Sequence, residues 1–136
     1  MSSFRIKISV RWGDLDAFNH VGNASYLRYL EECRAQWMDS VASHWQDGDS
    51  GPVVANTTIN YRRPILWPAT IEVSLKPLSP GRSSIKLEHE IRAVSSQDGE
   101  PGKLYADATT TLVWVDKKKG ESVPLPISIR DLAGKQ

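Results

Sequence analysis

The chain is short of several things, and each shortage closes off a class of function. It carries one cysteine, Cys33, in 136 residues. No intrachain disulfide and no cysteine-based zinc cluster is available, and the usage fits a reducing cytosol. Neither charge sign is in excess: 17 Lys and Arg against 16 Asp and Glu leave a formal net charge of +1. That balance gives no global argument for nucleic acid or an anionic membrane, so any basic site has to be local. Long apolar runs are missing too. Nothing approaches the ~20 apolar residues of a membrane span, and the opening "MSSFRIKISV" lacks the apolar centre of a secretory signal. The five tryptophans, Trp12, Trp37, Trp45, Trp67 and Trp114, are not interleaved with basic residues, which disfavours base stacking. The expectation is a single cytoplasmic domain, 1–136, with one core.

What is present is periodicity. Phe4, Ile6, Ile8, Val10 and Trp12 alternate with Arg5, Lys7, Ser9 and Arg11, which predicts a half-buried strand over 4–12. From Tyr26 the period changes. Tyr26, Leu30, Cys33, Trp37 and Val41 fall on one helical face, so a helix is expected from about Ala24 to Ser43, with Asn23 as its N-cap. "WQDGDSGP" is a loop by composition. Four strands follow, over 53–63, 70–77, 83–94 and 104–115, separated by the turn-rich "PILWPA", "PLSPGR" and "QDGEPG". "PISIRDLAG" predicts a short terminal helix closed by Gly134. The order β-α-β-β-β-β with short links implies an α+β fold, one long helix wrapped by a five-stranded antiparallel sheet.

The junction "RWGDLDAFNHVGNASYLRYLEE", Arg11 to Glu32, concentrates polar groups between strand and helix. Asp16 precedes Asn23 by seven residues, and such a loop can fold its carboxylate back towards the free N–H groups of the helix start. Those groups suit a developing oxyanion. A carboxylate beside an oxyanion donor is a minimal kit for acyl transfer or hydrolysis, by direct attack or by deprotonating water. Plain turn and cap chemistry competes, because aspartate after a strand and asparagine before a helix are common. Two other readings are weaker. "DLD" after a strand also marks aspartate-nucleophile phosphotransferases, but their strand is parallel and continuously apolar, unlike 4–12. Asp14, Asp16 and His20 lack a second cluster to complete a metal site.

"DLDAFNHVGNASYLRYLEE" resembles the signature of the 4-hydroxybenzoyl-CoA thioesterase-like branch of the hotdog-fold acyl-CoA thioesterases: an aspartate, then His-Val-x-Asn, then a Tyr-bearing helix. The resemblance continues through "INYRRPILWPATIEVSLKPLSPGRSSIKLEHEI" and "ADATTTLVWVD". It implies hydrolysis of an acyl-CoA to a carboxylate and free coenzyme A. Asp16 matches the catalytic carboxylate, as nucleophile or general base. The N–H of Asn23 matches the donor that polarises the thioester carbonyl, and His20 supports the loop. Gly22 departs from relatives that often carry asparagine there, and Tyr26 reads as core or pocket lining.

The resemblance also assigns substrate contacts. Coenzyme A carries phosphates that need cations or N–H groups. Arg62, Arg63 and Arg82 lie near positions that contact the nucleotide, and Ser83 and Ser84 of "GRSS" lie on a segment that follows the pantetheine arm. No metal and no cofactor beyond the coenzyme A of the substrate is implied. A homodimer or homotetramer is, with arginine contacts from the neighbouring chain. From a different class, a non-catalytic acyl-CoA or acyl-carrier-protein binding module on the same fold stays open, as does a thioesterase for acyl-carrier protein. Asp14 reads as a turn residue, His89 as a core histidine, Cys33 as a small buried hydrophobe and Lys117–Lys119 as a solvated hairpin end.

Overall fold

The computed structural model describes residues 4–96 and 100–133. Five strands, β1 (Phe4–Ser9), β2 (Ser50–Tyr61), β3 (Ala69–Pro77), β4 (Ser84–Ser96) and β5 (Leu104–Asp116), form one antiparallel sheet in the order β1-β3-β4-β5-β2. Helix α1 (Asn23–Val41) lies on its apolar face, and a short helix α2 (Ile127–Ala133) follows β5. The Gly134 expected to close α2 lies outside the described residues. No helix among the described residues is long and apolar enough to cross a membrane.

The two periodicities read from the sequence build the core. Alternate residues of β3 (Ile71, Val73, Leu75) and β4 (Ile85, Leu87, Ile91) are buried, and they meet Tyr26, Leu30, Cys33, Trp37 and Met38 of α1. Each fully buried aliphatic side chain contributes about 1.5–3 kcal/mol by leaving water. Cys33 is wholly buried, its Sγ 3.6 Å from the Val73 carbonyl, and burial pushes its thiol up to about 12. It is the inert hydrophobe expected. β1 is an antiparallel edge strand, which removes the phosphotransferase reading with its parallel buried strand.

Several boundaries differ from expectation. β1 ends at Ser9, not at 12, because the Asp14 carboxylate takes the Arg11 N–H and bends Trp12–Asp14 into a 3-10 turn. Trp12, expected inward by alternation, is exposed as a result. Helix α1 stops at Val41, where Ala42 leaves helical geometry with φ −147° and ψ 73°. Its cap position is occupied by Gly22, and Asn23, expected to cap, is the first helical residue. β2 begins at Ser50 and ends at Tyr61, since the N–H groups of Arg62 and Arg63 both turn onto the Tyr105 carbonyl.

Helix α1 sits over β3 and β1, away from the far edge of the sheet. The inner face of β2 is therefore incompletely covered: Val54 and Tyr61 are exposed, and Thr57 and Ile59 half-buried. β2 tolerates Pro52 because one of its edges is unpaired within the chain. A 12-residue open edge of this kind is a template for pairing with another chain.

Candidate active site

The junction between β1 and α1 is held by backbone pairing. Leu15 and Val21 form an antiparallel bridge that closes a small loop over residues 16–20. Inside it the Asp16 N–H donates to the His20 carbonyl at 2.8 Å, and the Asn19 N–H donates to the Asp16 carbonyl at 3.1 Å. Asn19 takes φ 61°, a left-handed conformation that asparagine adopts more readily than most residues. The loop is pinned to the rest of the fold by two bonds, Val21 N–H to the Ile65 carbonyl and Gly22 N–H to the Asp14 carbonyl, both 2.9 Å.

The two aspartates have separate environments. Asp14 is 7% exposed. Its Oδ2 accepts the Tyr29 hydroxyl at 2.7 Å and the Arg11 N–H at 3.0 Å, and its Oδ1 takes the Arg11 guanidinium at 3.3 Å. Burial alone would raise its pKa, but these donors and the arginine charge outweigh it and hold the carboxyl below its ordinary value. Asp14 and the same hydrogen bond raise the Tyr29 hydroxyl, after the larger effect of the tyrosine's own burial. Asp16 is exposed, and its Oδ1 accepts only backbone N–H groups, from Phe18 at 2.8 Å and His20 at 3.4 Å. Asp16 Oδ2 has no partner among the described residues.

Asp16, His20, Val21, Asn23, Tyr26, Tyr61, Arg62, Arg63 and Pro64 line one cleft of about 290 Å³. The structure thus brings Asp16, His20, Asn23, Arg62 and Arg63 together. The Asn23 N–H has no acceptor among the described residues, as first-turn helical N–H groups generally lack one. His20 lies at the rim, exposed, and takes part in the loop through its backbone. Arg62 is already committed: its Nε donates to Asp107 at 2.8 Å, and Asn60 joins the same carboxylate at 2.8 Å. That contact raises Arg62 and lowers Asp107. Arg63 is the uncommitted cation of the pair, its side chain without an ion pair or hydrogen bond among the described residues.

Arg82, Ser83 and Ser84 are not in this cleft. They sit at the start of β4, where Ser84 faces Val113, whereas Arg62 holds Asp107 at the other end of β5. Six residues of strand separate the two ends, about 20 Å. Within one chain these positions cannot touch one ligand's reacting end together.

Sequence reasoning missed Tyr61 as a site residue. It stacks edge-on against Tyr26, centroids 4.9 Å apart at 88°, and the pair forms one wall of the cleft. Tyr26 is pushed up to about 12 chiefly by burial, with smaller contributions from Tyr61, Tyr105 and Asp16, so it stays a neutral phenol. The alternation of β2 was the available signal, since Tyr61 shares the inward face with Ile59. Among the described residues, no three of His, Cys, Asp and Glu gather into a candidate metal site.

The comparisons with known proteins bear on the family and the fold. Residues 10–132 match the family model described as the thioesterase-like superfamily. The long-chain acyl-CoA thioesterase FadM of Escherichia coli K12 is 35% identical over 129 residues, 92% of each chain. The solved PA2801 protein of Pseudomonas aeruginosa superposes with a TM-score of 0.85 at 35% identity, covering 96% of this chain and 98% of that one. A thioesterase from Thermus thermophilus, solved with coenzyme A and zinc, does so with a TM-score of 0.78 at 34% identity, covering 93% and 94%. The chain belongs to the thioesterase-like superfamily and has its hotdog fold, a long helix wrapped by a five-stranded antiparallel sheet.

Proposed function

We propose that the protein is an acyl-CoA thioesterase that hydrolyses the thioester to a carboxylate and coenzyme A. The observation that carries this reading is the shared cleft: Asp16, an exposed carboxylate with an oxygen unpartnered among the described residues, and Asn23, with a free helical N–H, both line it. The Asn23 N–H polarises the thioester carbonyl and takes up the oxyanion charge as it develops. Asp16 removes a proton from water as the water oxygen bonds to the carbonyl carbon. Collapse of the intermediate breaks the C–S bond and releases the thiolate, a leaving group that needs no strong general acid. Direct attack by Asp16 Oδ2 is the variant route, through an acyl-enzyme anhydride that water then cleaves. The reaction as written uses no cofactor besides the coenzyme A of the substrate.

Arg63, free and beside the cleft, is the cation available to the coenzyme A phosphates from the same chain. Arg62 is the lesser contributor because Asp107 already holds it. Arg82, Ser83 and Ser84 serve the site only when a second copy presents the opposite end of its sheet. The open edge of β2 favours such a homodimer, alone or paired into a tetramer. The buried free thiol and single cysteine favour a cytoplasmic location.

Free-thiol release from a panel of acyl-CoAs, wild type against Asp16→Asn, tests the reading. Activity in the wild type and its loss in the variant support it. No cleavage across the panel would favour instead a non-catalytic acyl-CoA or acyl-carrier-protein binder. Offering the same acyl group on coenzyme A and on carrier protein separates a thioesterase that prefers the carrier.

A further inference from the structure

The inner face of the sheet holds polar atoms that the proposed chemistry does not use. His89 is 2% exposed and Thr110 0%. His89 Nδ1 lies 3.2 Å from the Ser74 carbonyl, which only accepts, so Nδ1 carries the hydrogen and Nε2 is a bare lone pair. That Nε2, Thr110 Oγ1 and the Tyr105 hydroxyl have no partner among the described residues. Buried polar groups are almost always satisfied, so each exception calls for a physical explanation. His89 and Thr110 are diagonal neighbours across the β4–β5 ladder, a spacing of about 7–8 Å and somewhat less between Cβ atoms. Ala108, a short side chain, stands opposite His89.

A third polar group reaches the same region from the helix. The Arg34 guanidinium makes no ion pair or hydrogen bond among the described residues. Burial pulls its pKa down, and Glu31, one turn back, attracts it without pairing. Its charge is felt at His89. Arg34 and Glu31 line a small groove of about 160 Å³ between α1 and β2, with Met38, Val54 and Leu112 as apolar walls; Thr110 lies beyond it, two residues from Leu112 on the same face of β5. The strip from there to the candidate site is continuous in sequence register: Val54, Thr57, Ile59 and Tyr61 pair with Leu112, Thr110, Ala108 and Ala106. Tyr61 closes it against Tyr26 in the catalytic cleft.

The distance fits a chain of moderate length. Arg34 lies eleven residues beyond Asn23, about 16 Å along the helix axis. Helical side chains lean towards the N-terminus, which brings the guanidinium within about 10–12 Å of the helix start. A ten-carbon acyl group held with its carbonyl at Asn23 spans that length.

Resting on the thioesterase reading, we propose that the α1–β2 groove receives the acyl chain and that Arg34 and Thr110 select a medium-length chain ending in an oxygen function, hydroxyl or carboxylate, over a plain hydrocarbon tail, with His89 an acceptor for a hydroxyl end alone. Arg34 donates to the terminal oxygen. Thr110 completes its coordination, and a hydroxyl terminus donates in turn to His89 Nε2. A bare hydrocarbon end leaves Arg34 and Thr110 unpaired, which is the physical source of the discrimination.

Non-hydrolysable thioethers test this independently of turnover. S-decyl-, S-(10-hydroxydecyl)- and S-(9-carboxynonyl)-coenzyme A are titrated calorimetrically into the intact protein. The wild type is expected to bind both oxygenated analogues about tenfold tighter than the plain one. Arg34→Met, which keeps the aliphatic stem, should bring that ratio close to one, and Arg34→Lys should keep part of the carboxylate preference. The near-isosteric Thr110→Val, folded by its thermal melt, should weaken the hydroxyl preference more than the carboxylate preference. Equal wild-type affinities, or discrimination that survives Arg34→Met, overturn the inference. If the thioethers are discriminated but no thioester is cleaved, the groove stands and the hydrolase reading falls.

Discussion

Asp14 and Asp16 are two residues apart on one loop and live in different solvents. Asp14 is sunk between β1 and α1, with Tyr29, the Arg11 backbone and the Arg11 guanidinium all on its carboxylate. Its carbonyl also accepts Gly22 N–H and Ser25 Oγ–H, so the start of the helix is tied to it. Asp16 faces the cleft with backbone donors on a single oxygen. A carboxylate whose lone pairs are already satisfied has nothing left to offer water or a carbonyl. One that is held in place by one oxygen and free at the other keeps its reactivity. On the proposed reading, orientation and reactivity are divided between neighbours: Asp14 ties down the helix end, and Asp16 acts on the substrate in front of it.

The largest expected effect breaks the symmetry from the catalytic side. Asp16→Asn should lower kcat/KM for a competent acyl-CoA by about 10³-fold, near the middle of what a positioned base contributes. The melting temperature should move little, because asparagine's carbonyl oxygen can still accept the Phe18 N–H. Thiol-release kinetics beside a thermal melt check it, and full activity in the folded variant would transfer the chemistry to another group. Asp14→Ala should do the reverse. It strands the Tyr29 hydroxyl and the Arg11 N–H in a buried site, a loss of about 3 kcal/mol in stability by denaturant titration. Activity per folded molecule should change less than tenfold. Asp14→Ala that is stable but inactive would mean that the two roles have been exchanged.

Acid separates the structural part of this division from the core. His89 is buried and neutral, its pKa lowered from 6.5 to about 4 first by burial and then by the Arg34 charge, with the Ser74 carbonyl pulling the other way. The unfolded chain therefore takes up the proton first. Stability is complete above about pH 6.5 and declines as the pH falls towards 4, by up to about 3 kcal/mol. Asp14 responds later. Its folded pKa lies below 3.8, so its contribution is whole above that value and fades only beneath it. Denaturant titrations between pH 7 and 4 should show a slope that His89→Gln removes and Asp14→Asn leaves in place. A slope unaffected by His89→Gln would assign the acid response elsewhere.

The contrast also shows what a sequence can carry. The strand and helix periods of Ile6, Ile8 and Val10 or Leu30, Cys33 and Trp37 are repeated signals, and they gave the element order before any coordinates. The aspartates are single letters with the same local chemistry. The resemblance to a family motif set them apart, but the physical difference lies in the Tyr29 hydroxyl, fifteen residues on, which reaches Asp14 and not Asp16. Likewise "YRRP" offers two equivalent arginines until Asp107, from another strand, takes Arg62 and leaves Arg63. Arg82, Ser83 and Ser84 were grouped with them by resemblance to a motif, which is silent about the roughly 20 Å of sheet between the two ends.

The smallest expected effect sharpens the comparison most finely, at Gly22. This residue caps α1 without a side chain, in an extended conformation, φ −75° and ψ 157°, that any residue adopts. A Cβ there would stand 3.5 Å from the Asp16 Cβ, an ordinary contact. Gly22→Asn should therefore fold and add a few tenths of a kcal/mol, since an asparagine side chain caps the Ala24 or Ser25 N–H. The helix gains its missing cap while Asp14 still holds the carbonyl end of the junction. Kinetically the variant asks which N–H the substrate uses. A capping side chain occupies the second or third helical N–H and leaves that of Asn23 open, so kcat/KM should stay within about threefold of the wild type. A tenfold loss in a stabilised variant would place the oxyanion donor at Ala24 or Ser25, one or two residues deeper into the helix than the cleft geometry indicates.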